Sequence, residues 1–322
     1  MIDMHYDLLT IIYFYLNKSN KFYNPEKVQE MCKKIYKENN IKGGFINLYF
    51  TPIEEMISEI DISLEECLNL TEMFKTAITS VENFKNLGYI PKSTKFIYSI
   101  EGCDYIKSKE HLKELYNLGL RSILPVWNHQ NQYGSGYRTN CGLSKKGEEL
   151  VNAALDLGII IDVSHANIPT FNDILDLYEK HPNSEKKLIA SHSNVRSLYD
   201  CPRNLTDEQL IRLNKLGGYI GLFTNSSFIT PDFRNKNYEE RTEEYLKHLD
   251  YLIQVIKFDP NRITISTDDM NFDPDSKFHN KEAVKTDEIA KTLLNKISTR
   301  YNSELANKIV YENAQNLIDK VL

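Results

Sequence analysis

Residues 145–165 read KKGEELVNAALDLGIIIDVSH, a stretch in which a helical pattern is followed directly by a strand pattern. Apolar residues recur at helical spacing over Lys145–Leu157, which predicts an amphipathic helix. The run Ile159–His165 then predicts a strand that is buried on both faces, because it is apolar over most of its length. A helix followed directly by a buried strand is typical of α/β proteins with a parallel sheet.

Similar apolar or β-branched runs recur along the whole chain and alternate with helical stretches. The eight predicted strands are Ile2–His5, Gly44–Phe50, Phe96–Glu101, Ser122–Trp127, Ile159–His165, Leu188–His192, Tyr219–Phe223 and Ile263–Asp268. The clearest predicted helices are Pro25–Glu38, Leu64–Asn83, Lys109–Asn117, Lys145–Leu157, Thr206–Lys215, Glu239–Ile256 and Lys285–Thr299. Two of these helices begin with the pattern of a capping box, Ser63 before Glu66 and Thr206 before Gln209.

The count of eight strands predicts a closed (β/α)8 barrel, the TIM barrel. An open doubly wound sheet would usually have six strands and a glycine-rich phosphate loop, and the sequence contains no such loop. Because no linker rich in glycine, serine or proline interrupts the chain, we expect a single catalytic domain over residues 1–322. The least regular stretch, Asn225–Tyr238, is expected to form a long loop over the barrel mouth.

The composition argues against nucleic-acid and membrane partners. The formal net charge is -6, and basic residues are mixed with acidic ones rather than clustered as phosphate binding requires. The apolar run Leu8–Leu16 is far shorter than the roughly 20 residues of a membrane helix and lacks signal-peptide features, so we expect a buried first helix. Five widely spaced cysteines without a C-x-x-C pair predict a cytoplasmic protein. The sequence leaves homo-oligomer formation open.

The informative residues are those at the ends of the predicted strands. Four of the eight histidines stand at or just after such an end, namely His5, His129, His165 and His192. Glu101 ends the third strand and Asp268 ends the eighth. Barrel enzymes build their active sites at the carboxyl ends of the strands, so we expect these side chains to converge. No role is assigned to the other four histidines, His111, His181, His248 and His279.

The first strand ends in the H-x-D pattern of His5 and Asp7. Residues two apart point to the same face of a strand, so both can bind one ion if the strand stays extended to Asp7. The same alternation turns Thr264, Ser266 and Asp268 toward the barrel interior, where a carboxylate needs a cation or a hydrogen-bond donor. Taken singly, the H-x-D pattern is also consistent with an exposed turn, and Asp268 with a helix cap.

The candidate ligands together favour a metal site. A single buried histidine such as His165 or His192 is more commonly a neutral core residue. That explanation, however, would require all six candidate ligands to stand at the strand ends by coincidence. Imidazole and carboxylate ligands without thiolates suit zinc, or else manganese, cobalt or iron. Two ions need a bridging anion. Since no lysine that could be carboxylated lies within Ser122–His129, Glu101 is the available bridge, and we expect two Zn2+ ions.

A series of motifs resembles the membrane (renal) dipeptidase family of zinc peptidases and its bacterial relatives. They occur over nearly the whole chain: Asp3-Met4-His5-Tyr6-Asp7, Ser99-Ile100-Glu101-Gly102, Gly142-Leu143-Ser144, Asp162-Val163-Ser164-His165, Ser191-His192-Ser193, Cys201-Pro202-Arg203-Asn204 and Ser266-Thr267-Asp268. Two positions depart from the family pattern. Asp269-Met270-Asn271 replaces the usual Phe-Asp-Gly, and Gly102-Cys103 replaces a glycine pair, which leaves the substrate preference open.

The resemblance implies a role for each candidate residue. His5, Asp7 and Asp268 would hold one zinc, His165 and His192 the other, and Glu101 would bridge the two. His129 is similar to the family's catalytic, substrate-contacting histidine, and Arg203 to the residue that binds the substrate's terminal carboxylate. The membrane anchor and secretory signal of the animal enzymes have no counterpart in this sequence.

The expected reaction is hydrolysis of the amide bond of small dipeptides, including those with a D-residue at the C-terminal position. A hydroxide that bridges the two zinc ions would attack the carbonyl, with Asp268 taking its proton and passing it to the leaving amine. His129 would donate a hydrogen bond to the oxyanion. Two alternatives stay open: an amidohydrolase acting on N-acyl amino acids, cyclic amides or lactones, and a non-catalytic barrel that only binds.

Overall fold

Eight parallel strands form a closed barrel in chain order, which confirms the predicted (β/α)8 fold. The computed structural model describes residues 1–38, 41–183, 187–268 and 286–322. The strands are β1 (Ile2–Tyr6), β2 (Gly43–Tyr49), β3 (Lys95–Glu101), β4 (Leu120–Leu124), β5 (Ile160–Asp162), β6 (Leu188–Ser193), β7 (Tyr219–Phe223) and β8 (Ile263–Ser266).

Helices follow the strands and confirm the predicted alternation. They are α1 (Leu8–Leu16), α2 (Pro25–Lys33), α3 (Ile53–Glu55), α4 (Leu64–Leu68), α5 (Leu70–Asn86), α6 (Lys109–Leu118), α7 (Lys145–Asp156), α8 (Ile168–Lys180), α9 (Asp207–Lys215), α10 (Tyr238–Gln254), α11 (Thr286–Arg300), α12 (Ser303–Asn307) and α13 (Asn313–Asp319). Turns of π-helix cover Lys34–Glu38, Met56–Ile60 and Lys308–Glu312, and 3-10 turns cover Ser226–Phe228, Phe233–Asn235 and Pro260–Arg262.

The residues divide into two compact units with four strands each. The terminal unit comprises residues 1–6 and 188–322, and the central unit comprises residues 7–187. In the terminal unit the strands pair in the order β6, β7, β8, β1. In the central unit they pair in the order β2, β3, β4, β5. The assignment of one domain to the whole chain stays a prediction.

Local sequence signals account for the helix starts. Both predicted capping boxes are present, at Ser63 with Glu66 and at Thr206 with Gln209. The apolar segment Leu8–Leu16 is the largely buried first helix that its composition predicts, and it packs against α5 and β2. In the part of the chain that the structure describes, no helix is both long and apolar enough to cross a membrane.

Strands β1, β5 and β8 end at residues other than those that the sequence predicts. Strand β1 runs to Tyr6, one residue past its predicted end at His5, and does not reach Asp7, so the condition for His5 and Asp7 to share one face of a strand is not met. Strands β5 and β8 stop at Asp162 and Ser266, because His165 and Asp268 adopt left-handed backbone conformations that are incompatible with an extended strand. Two further boundaries also differ from prediction. Strand β4 ends before Pro125, and the irregular stretch 225–238 contains two 3-10 turns.

Candidate metal centre

Strands β1 and β6 bring His5 and His192 together in the terminal unit. Both side chains are fully buried. Their ring centroids lie 3.8 Å apart at an interplanar angle of 35°. The ring of Phe223 on β7 packs edge-on against His192 at 5.3 Å. The fold of the terminal unit therefore brings into contact two imidazoles that lie far apart in the sequence, and Phe223 packs against one of them.

Ser191 lies between these two imidazoles. Its Oγ is 3.1 Å from His5 Nδ1 and 2.8 Å from His192 Nδ1. With both Nδ1 atoms directed at the hydroxyl, the Nε2 atom of each ring is the one left to face other groups. Histidines that bind metals are commonly held in this way by a hydrogen bond at the opposite ring nitrogen.

Asp268 is placed beside His5 by a backbone conformation that is unusual for a residue other than glycine. Its φ is 49°, its N–H donates to the His5 carbonyl at 2.9 Å, and its Oδ1 lies 3.7 Å from His5 Nε2. The buried carboxylate of Asp3 supports this arrangement, since it accepts from the backbone N–H groups of both His5 and Thr267. Left-handed non-glycine residues cost about 1–3 kcal/mol and often occur at functional sites.

Arg203 is also held close to His192. The side chain is only 4% exposed. Its Nη2 donates to the His192 carbonyl at 2.8 Å, and its Nη1 donates to Ser193 Oγ at 3.4 Å. The guanidinium is thus a buried group at the carboxyl end of β6 and not an ordinary surface arginine.

In the central unit, Glu101 ends β3 as predicted and is 2% exposed. The chain then turns sharply at Gly102, whose φ is 80°. A Cβ atom at that position would lie 2.6 Å from the Phe50 carbonyl oxygen. Only glycine fits this turn without strain, because any side chain would collide with the Phe50 carbonyl oxygen.

His165 contacts Glu101 from the loop that follows β5. Its Nε2 lies 3.1 Å from Glu101 Oε1, and its Nδ1 lies 2.7 Å from Asn128 Oδ1. Trp127 stacks on the ring with centroids 6.0 Å apart. The φ of His165 is 67°, which lies in the left-handed region. A neutral His165 therefore donates from Nδ1 to the Asn128 amide oxygen and presents Nε2 to Glu101.

Asp7 begins helix α1 and does not continue strand β1. It occupies the N-cap position with φ −87° and ψ 39°, and its side chain makes no capping hydrogen bond. The carboxylate is nevertheless buried. Burial raises the pKa of the nearby Tyr49 phenol, a hydrogen bond with Thr51 lowers it, and the negative charges of Glu101, Asp7 and Glu55 raise it again. Asp7 and Glu101 thus act electrostatically on the same buried side chain.

His129 has different surroundings from the three buried candidate ligands His5, His165 and His192. Its side chain is 38% exposed, and Nε2 lies 3.8 Å from Glu55 Oε1. Arg138 Nη1 lies 3.2 Å from the same nitrogen. Because a guanidinium can only donate, Nε2 accepts and a neutral His129 carries its proton on Nδ1. This geometry suits a hydrogen-bonding or proton-transferring group better than a buried metal ligand.

The candidate metal-binding residues fall in both units. The terminal unit carries His5, His192 and Asp268, and the central unit carries Asp7, Glu101 and His165. Sequence reasoning missed the residues that orient them, Ser191, Asn128 and Trp127, and missed Arg138 beside His129. The sequence feature that could have indicated a role for Ser191 is its position directly before His192. The predicted departure Asp269-Met270-Asn271 and His279 lie outside the described residues.

Comparison with known proteins identifies the family. The profile of the membrane dipeptidase family, peptidase family M19, matches residues 1–321. The chain belongs to this family.

A relative in the pqqA 5′ region of Klebsiella pneumoniae, an uncharacterized protein, is 35% identical over 153 residues, which are 45% of this chain and 54% of that protein. An uncharacterized dipeptidase of Schizosaccharomyces pombe is 27% identical over 205 residues, 62% of this chain and 48% of that protein. The chain thus spans about half the length of these relatives.

Solved structures share the fold over nearly the whole chain. A metallo peptidase from Rhodobacter sphaeroides, liganded with a phosphinate mimic of the dipeptide L-Ala-D-Ala, has a TM-score of 0.68 at 23% identity, and the match covers 100% of this chain and 99% of that one. A probable dipeptidase from Pseudomonas aeruginosa has a TM-score of 0.72 at 17% identity, covering 99% and 94%. At these identities the likeness establishes the fold and not the activity.

Proposed function

We propose that this chain is a dipeptidase that holds two zinc ions with His5, Asp7, Glu101, His165, His192 and Asp268. One observation supports this most directly. The three buried histidines that are predicted ligands all have Nδ1 hydrogen-bonded to a neutral side-chain oxygen, from Ser191 or Asn128. That arrangement makes Nε2 the available ligand atom, as expected of metal-binding histidines.

The donor set fits a divalent metal. Asp7 and Glu101 are buried carboxylates, and burying a carboxylate is costly unless a cation or several hydrogen-bond donors compensate it. Imidazoles combined with carboxylates, without thiolates, are typical of catalytic rather than structural zinc. The family name, membrane dipeptidase, agrees with such a site.

We assign His5, Asp7 and Asp268 to one ion, His165 and His192 to the other, and Glu101 to both. A closed parallel barrel brings the carboxyl ends of all its strands to one end, which is where these residues stand in the sequence. The left-handed backbone at His165 and Asp268 supports the assignment. Of the four non-glycine residues with positive φ in the described chain, two are proposed ligands.

The zinc pair, when bound, would supply a Lewis acid that generates hydroxide from water near neutral pH. Asp268 would accept the proton and return it to the leaving amine. His129 would donate from its protonated ring nitrogen to the oxyanion, and the cationic Arg138 beside it would favour the same negative charge. Arg203 would pair with the terminal carboxylate of the dipeptide.

We propose dipeptides as substrates, including those with a D-residue at the C-terminal position. The buried Arg203 supports recognition of a free terminal carboxylate, which a short substrate presents close to its scissile bond. The ligand of the Rhodobacter sphaeroides relative, a mimic of L-Ala-D-Ala, supports a D-residue at that position. A cytoplasmic location is also proposed, supported by five cysteines that form no disulfide.

Zinc stoichiometry and substrate range test the proposal together. Protein purified without chelator and saturated with zinc should bind about two ions per chain, because the ligands form two sites that share Glu101. Glu101→Gln should lower the occupancy of both sites at once. The saturated protein should cleave free dipeptides faster than N-acyl amino acids, cyclic amides or lactones. A stoichiometry near one would reject the bridged pair, and preference for an acyl or cyclic substrate would reject the dipeptidase.

A further inference from the structure

Ser191 offers one hydroxyl to two histidines that we assign to different metal ions. The side chain is fully buried. Its Oγ lies 3.1 Å from His5 Nδ1 and 2.8 Å from His192 Nδ1. The two rings are themselves in contact, with centroids 3.8 Å apart. Movement of one ring about this hydroxyl would therefore displace the other.

A serine hydroxyl can serve both rings in a single protonation pattern that suits metal binding. Its oxygen has two lone pairs and can accept two N–H groups. A neutral imidazole carries one N–H, so a proton on Nδ1 leaves the lone pair of Nε2 for a ligand. If the serine instead donated its proton to one Nδ1, that ring would carry its proton on Nε2 and could not bind a cation there.

We propose that Ser191 is a shared positioning residue whose Oγ accepts from the Nδ1–H groups of both His5 and His192, and thereby couples the two metal sites. The inference rests on the proposed zinc pair. The shared acceptor distinguishes His5 and His192 from His165, whose Nδ1 has a separate acceptor in Asn128 Oδ1 at 2.7 Å. Loss of the Ser191 hydroxyl should weaken both sites, whereas loss of the Asn128 amide should weaken chiefly the site that contains His165.

The first measurement is zinc affinity of the full-length protein, by competition with a chelator of known affinity. Removing a hydrogen-bond partner of a ligand typically costs about 10–100-fold in metal affinity. Ser191→Ala should show that loss at both sites. Ser191→Thr keeps the hydroxyl and should restore most of the affinity. Ser266→Ala is the matched control: its Oγ is buried without a partner in the described structure, so the same deletion there should leave affinity unchanged.

The second measurement is the ring tautomer, read from histidine 15N chemical shifts in the full-length protein before zinc is added. The wild type and Ser191→Thr should show His5 and His192 protonated on Nδ1. Ser191→Ala should show a mixture of tautomers at both residues. If Ser191 only supported the fold, Ser191→Ala would lower the thermal stability without changing which ring nitrogens carry the protons.

The outcomes separate the two proposals. If Ser191→Ala keeps both Nδ1 protons and both zinc affinities, the positioning role is refuted. Weakening of one site alone would also refute it, because the shared hydroxyl requires both to respond. If the wild type binds no zinc but the tautomers change as expected, the positioning of both rings by Ser191 stands, whereas the proposed zinc dipeptidase and the coupling of its metal sites fail.

Discussion

Arg203 gives a sharp test of the proposed substrate class. Its buried guanidinium donates to the His192 carbonyl and to Ser193 Oγ. Arg203→Ala therefore removes two separate contributions: hydrogen bonds that hold the end of β6, and the proposed partner of the substrate carboxylate. The first contribution affects every substrate, whereas the second affects only substrates that have the carboxylate.

The expected magnitudes follow from the burial of Arg203. Truncating one partner of a buried charge pair costs about 2–5 kcal/mol. Since about 1.36 kcal/mol corresponds to a factor of ten in rate, this contribution lowers kcat/KM for a free dipeptide by about 30- to 5000-fold. The hydrogen bonds that the variant loses to the protein affect a dipeptide and its C-terminal amide equally. The loss on the dipeptide should exceed that on the amide by the carboxylate contribution.

The assay measures kcat/KM for one dipeptide and its amide, together with zinc content. Arg196→Ala is a suitable control, because Arg196 lies in the same loop and pairs with Asp200 at 2.8 Å near the surface. That variant should retain wild-type rates on both substrates. Equal losses for Arg203→Ala on the dipeptide and on the amide would refute the carboxylate-binding role and favour a general amidase.

Two further predictions concern other histidines. His129→Ala should keep the zinc content and lower kcat by about 10²–10³ if the side chain stabilises the oxyanion; loss of zinc would instead make His129 a ligand. Burial lowers the pKa of His248 to about 4, while its ring accepts from the Val195 N–H and contacts the Ile229 carbonyl. Folding favours the neutral form of His248, so its contribution to the free energy of unfolding is fully present above pH 6.5. That contribution is lost as the pH falls toward 4, by about 3 kcal/mol. Urea unfolding from pH 7.5 to 4 should show that extra decline in the wild type and not in His248→Gln.

Local patterns predicted the architecture and the positions of the candidate ligands. All eight strands and the seven clearest helices were found near their predicted bounds, because hydrophobic periodicity and caps depend on residues close in sequence. His192 and Glu101 stand within their strands at the carboxyl end, as predicted. The ligand roles of His5, Asp7 and the other candidates stay predictions.

Strand ends were less predictable, and the errors coincide with the candidate site. The sequence predicts that β5 reaches His165 and β8 reaches Asp268, but these strands stop three and two residues earlier. At His165 and Asp268 the backbone is left-handed, a conformation that a non-glycine residue adopts only when its surroundings compensate the strain. The intrinsic secondary-structure preferences of the residues therefore could not predict the left-handed backbone at these two positions.

The barrel and the side chains at its strand ends could be predicted from the sequence, since both depend on neighbours a few residues apart. How those side chains are held depends on contacts between distant parts of the chain. Ser191 and His5 are 186 positions apart, and His165 and Asn128 are 37 apart. A hydrogen bond between such distant residues forms only after the strands have paired. The ring nitrogen that each histidine presents is therefore a property of the folded barrel.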